Sequence, residues 1–188
     1  MKRRDLEHVI RAAASIADDP EIIVIGSQAV LGSIPDAPVS LLVSAEADVV
    51  PKNRPERAEL IEGAIGEGSL FHDTFGYYAN GVGYETAVLP MGWEKRLVQV
   101  KSGTTGGATG LCLDLHDLVL SKYAAGREKD LRFNAELVRT GRIDRSRLRS
   151  LLRNMPVSET ARRRIGRWID RAFGTPGYGR NEYRHWKS

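Results

Sequence analysis

The chain has 188 residues, 41% of them hydrophobic and 28% charged, so it can bury a sizeable core as one domain with an appended subdomain. A single cysteine, Cys112, lies in an apolar run and excludes a disulfide framework and a cysteine-rich zinc site. No apolar stretch approaches the ~18 residues of a membrane span, and no apolar secretory core follows the N-terminus, so we expect a cytoplasmic protein without a membrane partner.

Positive charge is concentrated in the C-terminal quarter. The formal net charge is +4, but residues 141–188 hold 13 Lys and Arg against 4 Asp and Glu, which leaves the preceding residues net negative. Such a patch suits a phosphate-rich polymer such as RNA, and the aromatic residues within it could stack on bases. A solvated Arg-rich helical surface and a face for an acidic protein partner are the alternative interpretations.

The first elements predict a phosphate site. Apolar residues at helical spacing predict an amphipathic helix over residues 3–17, and the β-branched run at residues 22–25 predicts a buried strand. Gly26 ends this strand, and residues 27–31 can open a short helix. The free backbone N–H groups of that helix, together with the Ser27 hydroxyl, would bind a phosphate, and Gly26 would let it approach the main chain.

Two carboxylates follow on the next predicted strand, residues 45–50. Glu46 and Asp48 are spaced i, i+2, which places both side chains on the same face of a strand. Mg²⁺ takes one or two protein carboxylates and leaves its other positions to water and phosphate. The order of strand, Gly-Ser turn and acidic pair therefore predicts a site for a nucleoside triphosphate and its magnesium, whereas a plain turn and a solvated sheet face are the alternatives.

The middle of the chain offers one further carboxylate. We predict a helix over residues 54–65, an aromatic loop of undetermined role over residues 71–78, and strands over residues 82–89 and 97–100. Glu85 would lie inside an apolar strand, where a charge is costly unless it is paired or binds a metal. It is a candidate general base or third metal ligand, and the alternative is an edge-strand glutamate that faces water.

A lysine in the second half is a candidate phosphate ligand. The glycine-rich residues 103–110 lack the closing Gly-Lys-Ser/Thr of a P-loop and precede a predicted strand at 111–113, so we interpret them as a connector. A helix then begins at Asp114 or His116 and places Lys122 on its apolar stripe. The ammonium group would either reach a triphosphate or extend to water past a packed stem.

The remaining residues predict helices from 127 to about 138, at about 145–154 and at 158–173. We therefore divide the chain into a core over residues 1–113, a C-terminal helical subdomain over residues 114–173, and a loose basic tail over residues 174–188.

Taken together, these residues resemble the polymerase-β-type nucleotidyltransferase superfamily, in particular the toxin-like branch related to the AbiE (AbiEii) abortive-infection toxins and the MenT-type toxins. The resemblance rests on Gly26-Ser27, on Glu46-x-Asp48, and on the stretch from Asp117 to Leu131, and it covers roughly residues 20–140. Glu46 stands where the family more often has aspartate.

The resemblance implies an α+β fold, in which a mixed β-sheet is flanked by helices and followed by a C-terminal helical subdomain, and two-metal transfer of NMP from an NTP. Carried over by position, Glu46 and Asp48 would hold two Mg²⁺ ions. Gly26, Ser27, Lys122, Arg127 and Asp130 would bind the nucleotide, with Lys122 at the triphosphate.

We therefore predict a Mg²⁺-dependent nucleotidyltransferase similar to the toxins of toxin–antitoxin pairs, with Glu46, Asp48, Lys122 and Glu85 as the catalytic candidates. The acceptor hydroxyl would belong to RNA, with tRNA as the family-level suggestion, to a protein or to a small molecule, and a cognate antitoxin is a further expected partner. The alternative hypothesis is a non-catalytic module of the same fold that binds nucleic acid or a partner protein.

Overall fold

The computed structural model describes residues 1–174, so nearly all of the predicted basic tail lies outside the described residues. Within these residues the helices are α1 (Arg3–Ala17), α2 (Val30–Ser33), α3 (Ala58–Ile65), α4 (Leu70–Phe75), α5 (Leu115–Ala125), α6 (Glu128–Arg139), α7 (Arg145–Leu152) and α8 (Glu159–Gly174). The strands are β1 (Glu21–Val24), β2 (Glu46–Pro51), β3 (Tyr78–Gly81), β4 (Val98–Val100) and β5 (Thr109–Cys112).

The five strands form one mixed sheet in the order β3-β2-β1-β5-β4. β1 pairs antiparallel with β2 and parallel with β5, β2 pairs parallel with β3, and β4 pairs antiparallel with β5. Helices flank this sheet, and α5 to α8 form a helical region at the C-terminal end of the described chain. The predicted α+β class with a mixed, helix-flanked sheet is confirmed.

One face of the sheet packs against helices, and this fixes where the acidic residues lie. α1 and α3 contact each other and the strands β2 and β3. A Cβ on Gly81 would lie 1.8 Å from the carbonyl oxygen of Ala58 in α3, so Gly81 faces that helix. Asn80 and its register partner Asp48 therefore point to the opposite face, because side chains alternate along a strand.

The helical region is organised around α5, which contacts α6, α7 and α8. Tyr123 of α5 is buried and stacks on Trp168 of α8, with ring centroids 6.0 Å apart. The same tryptophan lies close to Gly126, whose φ of +65° ends α5 in the left-handed region. α8 therefore packs against the turn between α5 and α6.

Residues 71–78 do not form the predicted loop, which is a correction. The Ser69 hydroxyl accepts a hydrogen bond from the His72 backbone N–H and caps α4, and Gly76 at φ +74° ends that helix. β3 then begins at Tyr78. This short helix was missed because its six residues are too few to show a helical period of apolar residues.

The predicted strand over residues 82–89 is wrong. The strand of this region is β3, which ends at Gly81, and residues 84–86 form a 3₁₀ turn after it. Glu85 therefore lies in an exposed turn instead of an apolar strand. The apolar residues that suggested a strand include Leu89, which is buried in the core although it lies in an irregular segment. Its hydrophobicity is explained by this burial and not by pairing in the sheet.

The other predicted elements are close to those observed. α1 has the predicted bounds, α5 begins after its N-cap Asp114, and α3 begins at Ala58 because residues 55–57 form a 3₁₀ turn. Cys112 is fully buried, as predicted for a core residue, and burial raises the pKa of its thiol to about 12. In the described part of the chain, no helix is both long and apolar enough to cross a membrane.

Candidate active site

A cleft of ≈ 930 Å³ lies on the sheet face that carries Asp48, and residues of α5 and α6 line its other side. Its polar lining residues include Gly26, Ser27, Ser44, Glu46, Asp48, Asn80, Ser121, Lys122, Arg127 and Asp130. The predicted nucleotide-binding residues and the acidic pair Glu46 and Asp48 all line this cleft. Glu85, the remaining catalytic candidate, is not among its lining residues.

The turn after β1 brings the main chain directly against the acidic pair. The Ile25 N–H donates to the Asp48 carbonyl oxygen at 3.1 Å, which continues the β1–β2 pairing beyond the end of the strand. A Cβ on Gly26 would lie 1.9 Å from Asp48 Oδ2, so only glycine leaves room for the carboxylate. Gly26 therefore has a steric role towards Asp48 in addition to its predicted role towards a phosphate.

The two carboxylates of β2 lie side by side and repel each other. Burial is the main reason that the pKa of Asp48 is raised to about 7, and the hydrogen bond and the charge of the neighbouring Glu46 act in the same direction. The positive charges of Lys122 and Arg127 act in the opposite direction. A carboxyl pair in this state holds a proton that a divalent cation would displace, because the cation neutralises both charges.

Lys122 lies on the other side of the cleft, and its ammonium group is anchored at three points. Nζ donates to Ser27 Oγ at 2.9 Å and to Asp130 Oδ1 at 3.2 Å, and it lies 4.4 Å from the ring centroid of Phe133. The side chain is only 11% exposed, and burial lowers the pKa of Lys122, although the Asp130 carboxylate opposes that shift. The lysine is therefore not the solvated one that the alternative interpretation required.

Asp130 holds two cations of the cleft, Lys122 and Arg127, together. Its side chain is fully buried and accepts from Lys122 and also from Arg127, whose Nε lies 2.6 Å from Oδ2. Burial alone would raise the pKa of Asp130, but the hydrogen bonds and charges of Arg127 and Lys122 hold that pKa below its ordinary value. Arg127 remains 62% exposed and lines the cleft.

Several residues of the cleft escaped the sequence prediction, Asn80 and Phe133 among them. Asn80 of β3 donates its Nδ2 hydrogen to Glu46 Oε1, and the Phe133 ring packs under the Lys122 ammonium. Asn80 lies on a strand that was itself not predicted, so no sequence signal pointed to it. Phe133 lies on the buried stripe of α6 and carried only an ordinary core signal.

Within residues 141–174, the arginines are largely engaged in contacts inside the protein. Arg145 and Arg149 pair with Asp170, and Arg163 pairs with Glu159. Arg147 pairs with Asp114, and the Arg164 guanidinium lies 5.0 Å from the Trp168 ring. Arg162 donates to backbone carbonyl oxygens, which belong to Leu152, Arg153, Met155 and Val157. Their net charge remains, but several of these arginines stabilise the helical region directly.

Residues 4–167 match the family described as "Nucleotidyltransferase of unknown function (DUF6036)". The chain belongs to this family. Its match runs from α1 into α8 and contains every polar residue of the cleft named above. The family description supports the predicted nucleotidyltransferase superfamily and names no branch of it. No curated protein and no solved structure matches the chain at a significant level.

Proposed function

We propose that this member of the family is a Mg²⁺-dependent nucleotidyltransferase that moves NMP from an NTP to an acceptor hydroxyl. One observation carries the proposal: a single cleft has a pair of repelling carboxylates on one side and a cationic cluster built on a buried aspartate on the other. The two sides lie within electrostatic range, because the charges of Lys122 and Arg127 act on the pKa of Asp48. An NTP–Mg²⁺ complex has the complementary pattern of charge.

The donor set suits magnesium. Glu46 and Asp48 offer carboxylate oxygens on one face of β2, and within residues 1–174 there is no group of three or more His, Cys, Asp or Glu that could hold a metal. Two carboxylates without nitrogen or sulfur ligands are typical of Mg²⁺ sites, in which water and substrate phosphates complete the coordination. When bound there, Mg²⁺ would neutralise charge on the phosphates and favour in-line displacement at the α-phosphorus.

The cationic cluster would receive the triphosphate. An ammonium group has three donor hydrogens, and Lys122 directs two of them to Ser27 and Asp130, which leaves one for a phosphate oxygen. Arg127 lines the cleft and uses Nε and Nη2 to hold Asp130, so its remaining hydrogens would be available to a phosphate. Asp130 orients both cations before substrate arrives, so the leaving pyrophosphate meets a preformed site.

Glu85 has no part in this proposal, because its side chain is exposed in a turn outside the cleft. The finer assignments to a toxin-like branch, a cognate antitoxin and tRNA as the acceptor follow from the sequence resemblance alone. The net charge of +9 over residues 141–188 favours a polyanionic acceptor over a protein or a small molecule.

The test is label transfer. The protein is incubated with Mg²⁺ and each α-³²P-labelled NTP, with and without total RNA, beside Asp48→Asn and the matched control Glu85→Gln. We expect Mg²⁺-dependent label transfer in the wild type and in Glu85→Gln, and none in Asp48→Asn. Absence of both label transfer and Mg²⁺-dependent NTP binding in the wild type would refute the enzyme proposal.

The same experiment distinguishes the non-catalytic alternative. RNA binding that persists in Asp48→Asn without any label transfer, and that weakens on neutralising exposed Arg163 and Arg167, would support a binding module. Arg162 is unsuitable for this purpose, because its guanidinium holds backbone carbonyls in place.

A further inference from the structure

The acidic pair has a third neighbour on the adjacent strand. β2 and β3 run parallel with Asp48 opposite Asn80 and with Glu46 opposite Tyr78. Glu46, Asp48 and Asn80 therefore project from the same face of the sheet, and all three line the cleft. Asn80 donates from Nδ2 to Glu46 Oε1, so an amide on β3 is bonded to the first carboxylate of β2.

The two carboxylates need different means of positioning. Asp48 has a short side chain, and the backbone of Gly26 approaches so closely that a Cβ there would lie 1.9 Å from Oδ2. Glu46 has one more rotatable bond, and it reaches the same cleft from two residues earlier on the strand. A glutamate without a partner would populate several rotamers, and each immobilised rotamer has an entropic cost.

We propose that Asn80 is a positioning residue that holds the Glu46 carboxylate beside Asp48, so that the pair binds a divalent cation as one unit. The amide suits this task because it is a neutral donor: it fixes a carboxylate oxygen without adding a charge that would compete with the cation. This inference rests on the proposed function, because it concerns the same metal ligands. Asn80 acts through Glu46 and has no assigned contact with substrate.

The test is a double-mutant cycle on metal binding without nucleotide. Mn²⁺ serves as the probe, because its electron paramagnetic resonance signal reports free and bound ion directly. The four proteins are the wild type, Asn80→Ala, Glu46→Asp, and the double variant. Loss of a group that orients a metal ligand typically weakens metal affinity about 10- to 100-fold, and we expect Asn80→Ala to do so.

The decisive comparison is in the Glu46→Asp background. Aspartate is one methylene shorter and does not reach Asn80, so Asn80→Ala should then change Mn²⁺ affinity less than about 3-fold. An equal loss in both backgrounds would show a general structural effect and overturn the proposal, as would an unchanged affinity in Asn80→Ala alone. Far-ultraviolet circular dichroism and urea unfolding establish that each variant is folded.

Activity gives a second measurement and separates the two proposals. Asn80→Ala should raise the Mg²⁺ concentration that gives half-maximal label transfer and recover near-wild-type kcat at saturating Mg²⁺, because the ligands remain present. A fall in kcat that Mg²⁺ does not restore would contradict a positioning role. If the wild type neither binds Mn²⁺ nor transfers label, the proposed function fails and this inference with it. Label transfer without Mn²⁺ binding, or Mn²⁺ binding that is equal in wild type and Asn80→Ala, refutes the inference alone.

Discussion

Asp130→Asn tests the electrostatic organisation of the cleft, because this substitution removes one charge and almost no volume. In the wild type the Asp130 carboxylate is fully buried and pairs with Lys122 and Arg127. After the substitution, the Lys122 side chain, which is only 11% exposed, keeps Ser27 as a polar partner but has lost the anion that compensates its charge. Removing one member of a buried pair typically costs about 3–5 kcal/mol, because the other charge is left uncompensated.

The loss of stability expected for Asp130→Asn is somewhat smaller than this typical range. Arg127 is 62% exposed, so water screens its part of the lost interaction, and asparagine can still accept one hydrogen bond. We therefore expect Asp130→Asn to lower the free energy of unfolding by about 2–4 kcal/mol at pH 7. The matched control is Asp170→Asn, which breaks pairs with Arg145 and Arg149 at a half-exposed site and should cost less than about 1 kcal/mol.

The assay is urea unfolding followed by circular dichroism, over a range of pH. The folded-state pKa of Asp130 lies below its unfolded-state value, so its stabilising contribution is present above about pH 4 and is lost as the pH falls through the folded pKa. The difference between wild type and Asp130→Asn should therefore shrink in acid. A loss no larger than that of Asp170→Asn, or a loss independent of pH, would refute the charge cluster as described.

Three further predictions concern Asp48, Gly26 and Arg162. The pKa of Asp48 is raised to about 7 in the folded protein. The protonated carboxyl therefore contributes to the free energy of unfolding fully below about pH 4, and this contribution is lost as the pH rises through 7. Without divalent ions, Asp48→Asn should then be more stable than wild type at pH 8 by on the order of 1–3 kcal/mol, and no more stable at pH 4; equal urea midpoints at pH 8 would contradict this. Gly26→Ala should lower label transfer about 10²-fold, because a Cβ 1.9 Å from Asp48 Oδ2 displaces that carboxylate, and wild-type activity would show that the turn can yield. Arg162→Ala should reduce the free energy of unfolding by about 1–3 kcal/mol, because its guanidinium donates to several backbone carbonyls, whereas the exposed Arg163→Ala should change it by less than about 0.5 kcal/mol; similar thermal shifts for the two would show that the carbonyl contacts contribute little.

Much of the fold could be predicted locally. α1 and α5 each have apolar residues at helical spacing as their sequence signal, and both appear at the expected positions. The elements that were missed have weak local signals. β3 contains Asn80 and Gly81, residues that are poor strand formers, and it forms because β2 offers it a pairing edge and α3 covers its other face.

The candidate site divides in the same way. Glu46 and Asp48 were placed on one face from the strand period of two, and Lys122 was singled out because a cation on an apolar stripe needs an anion. These inferences need only the spacing of residues within one element. Glu85 was assigned to a strand because its neighbours in the sequence are apolar. Those neighbours lie in an irregular segment, where side chains follow neither the helical nor the strand period.

By itself, the sequence determined the chemical types of the groups and, for Glu46, Asp48 and Lys122, the element that carries each and the face from which it projects. The tertiary structure alone decided which of these groups meet. It brought Asp130 to Lys122 and Ser27 from three separate elements, set Gly26 against Asp48, and placed Asn80 beside Glu46 on a neighbouring strand. Helical and strand periods act within one element, whereas contacts between elements depend on sheet order and packing, and neither follows from any local stretch of residues.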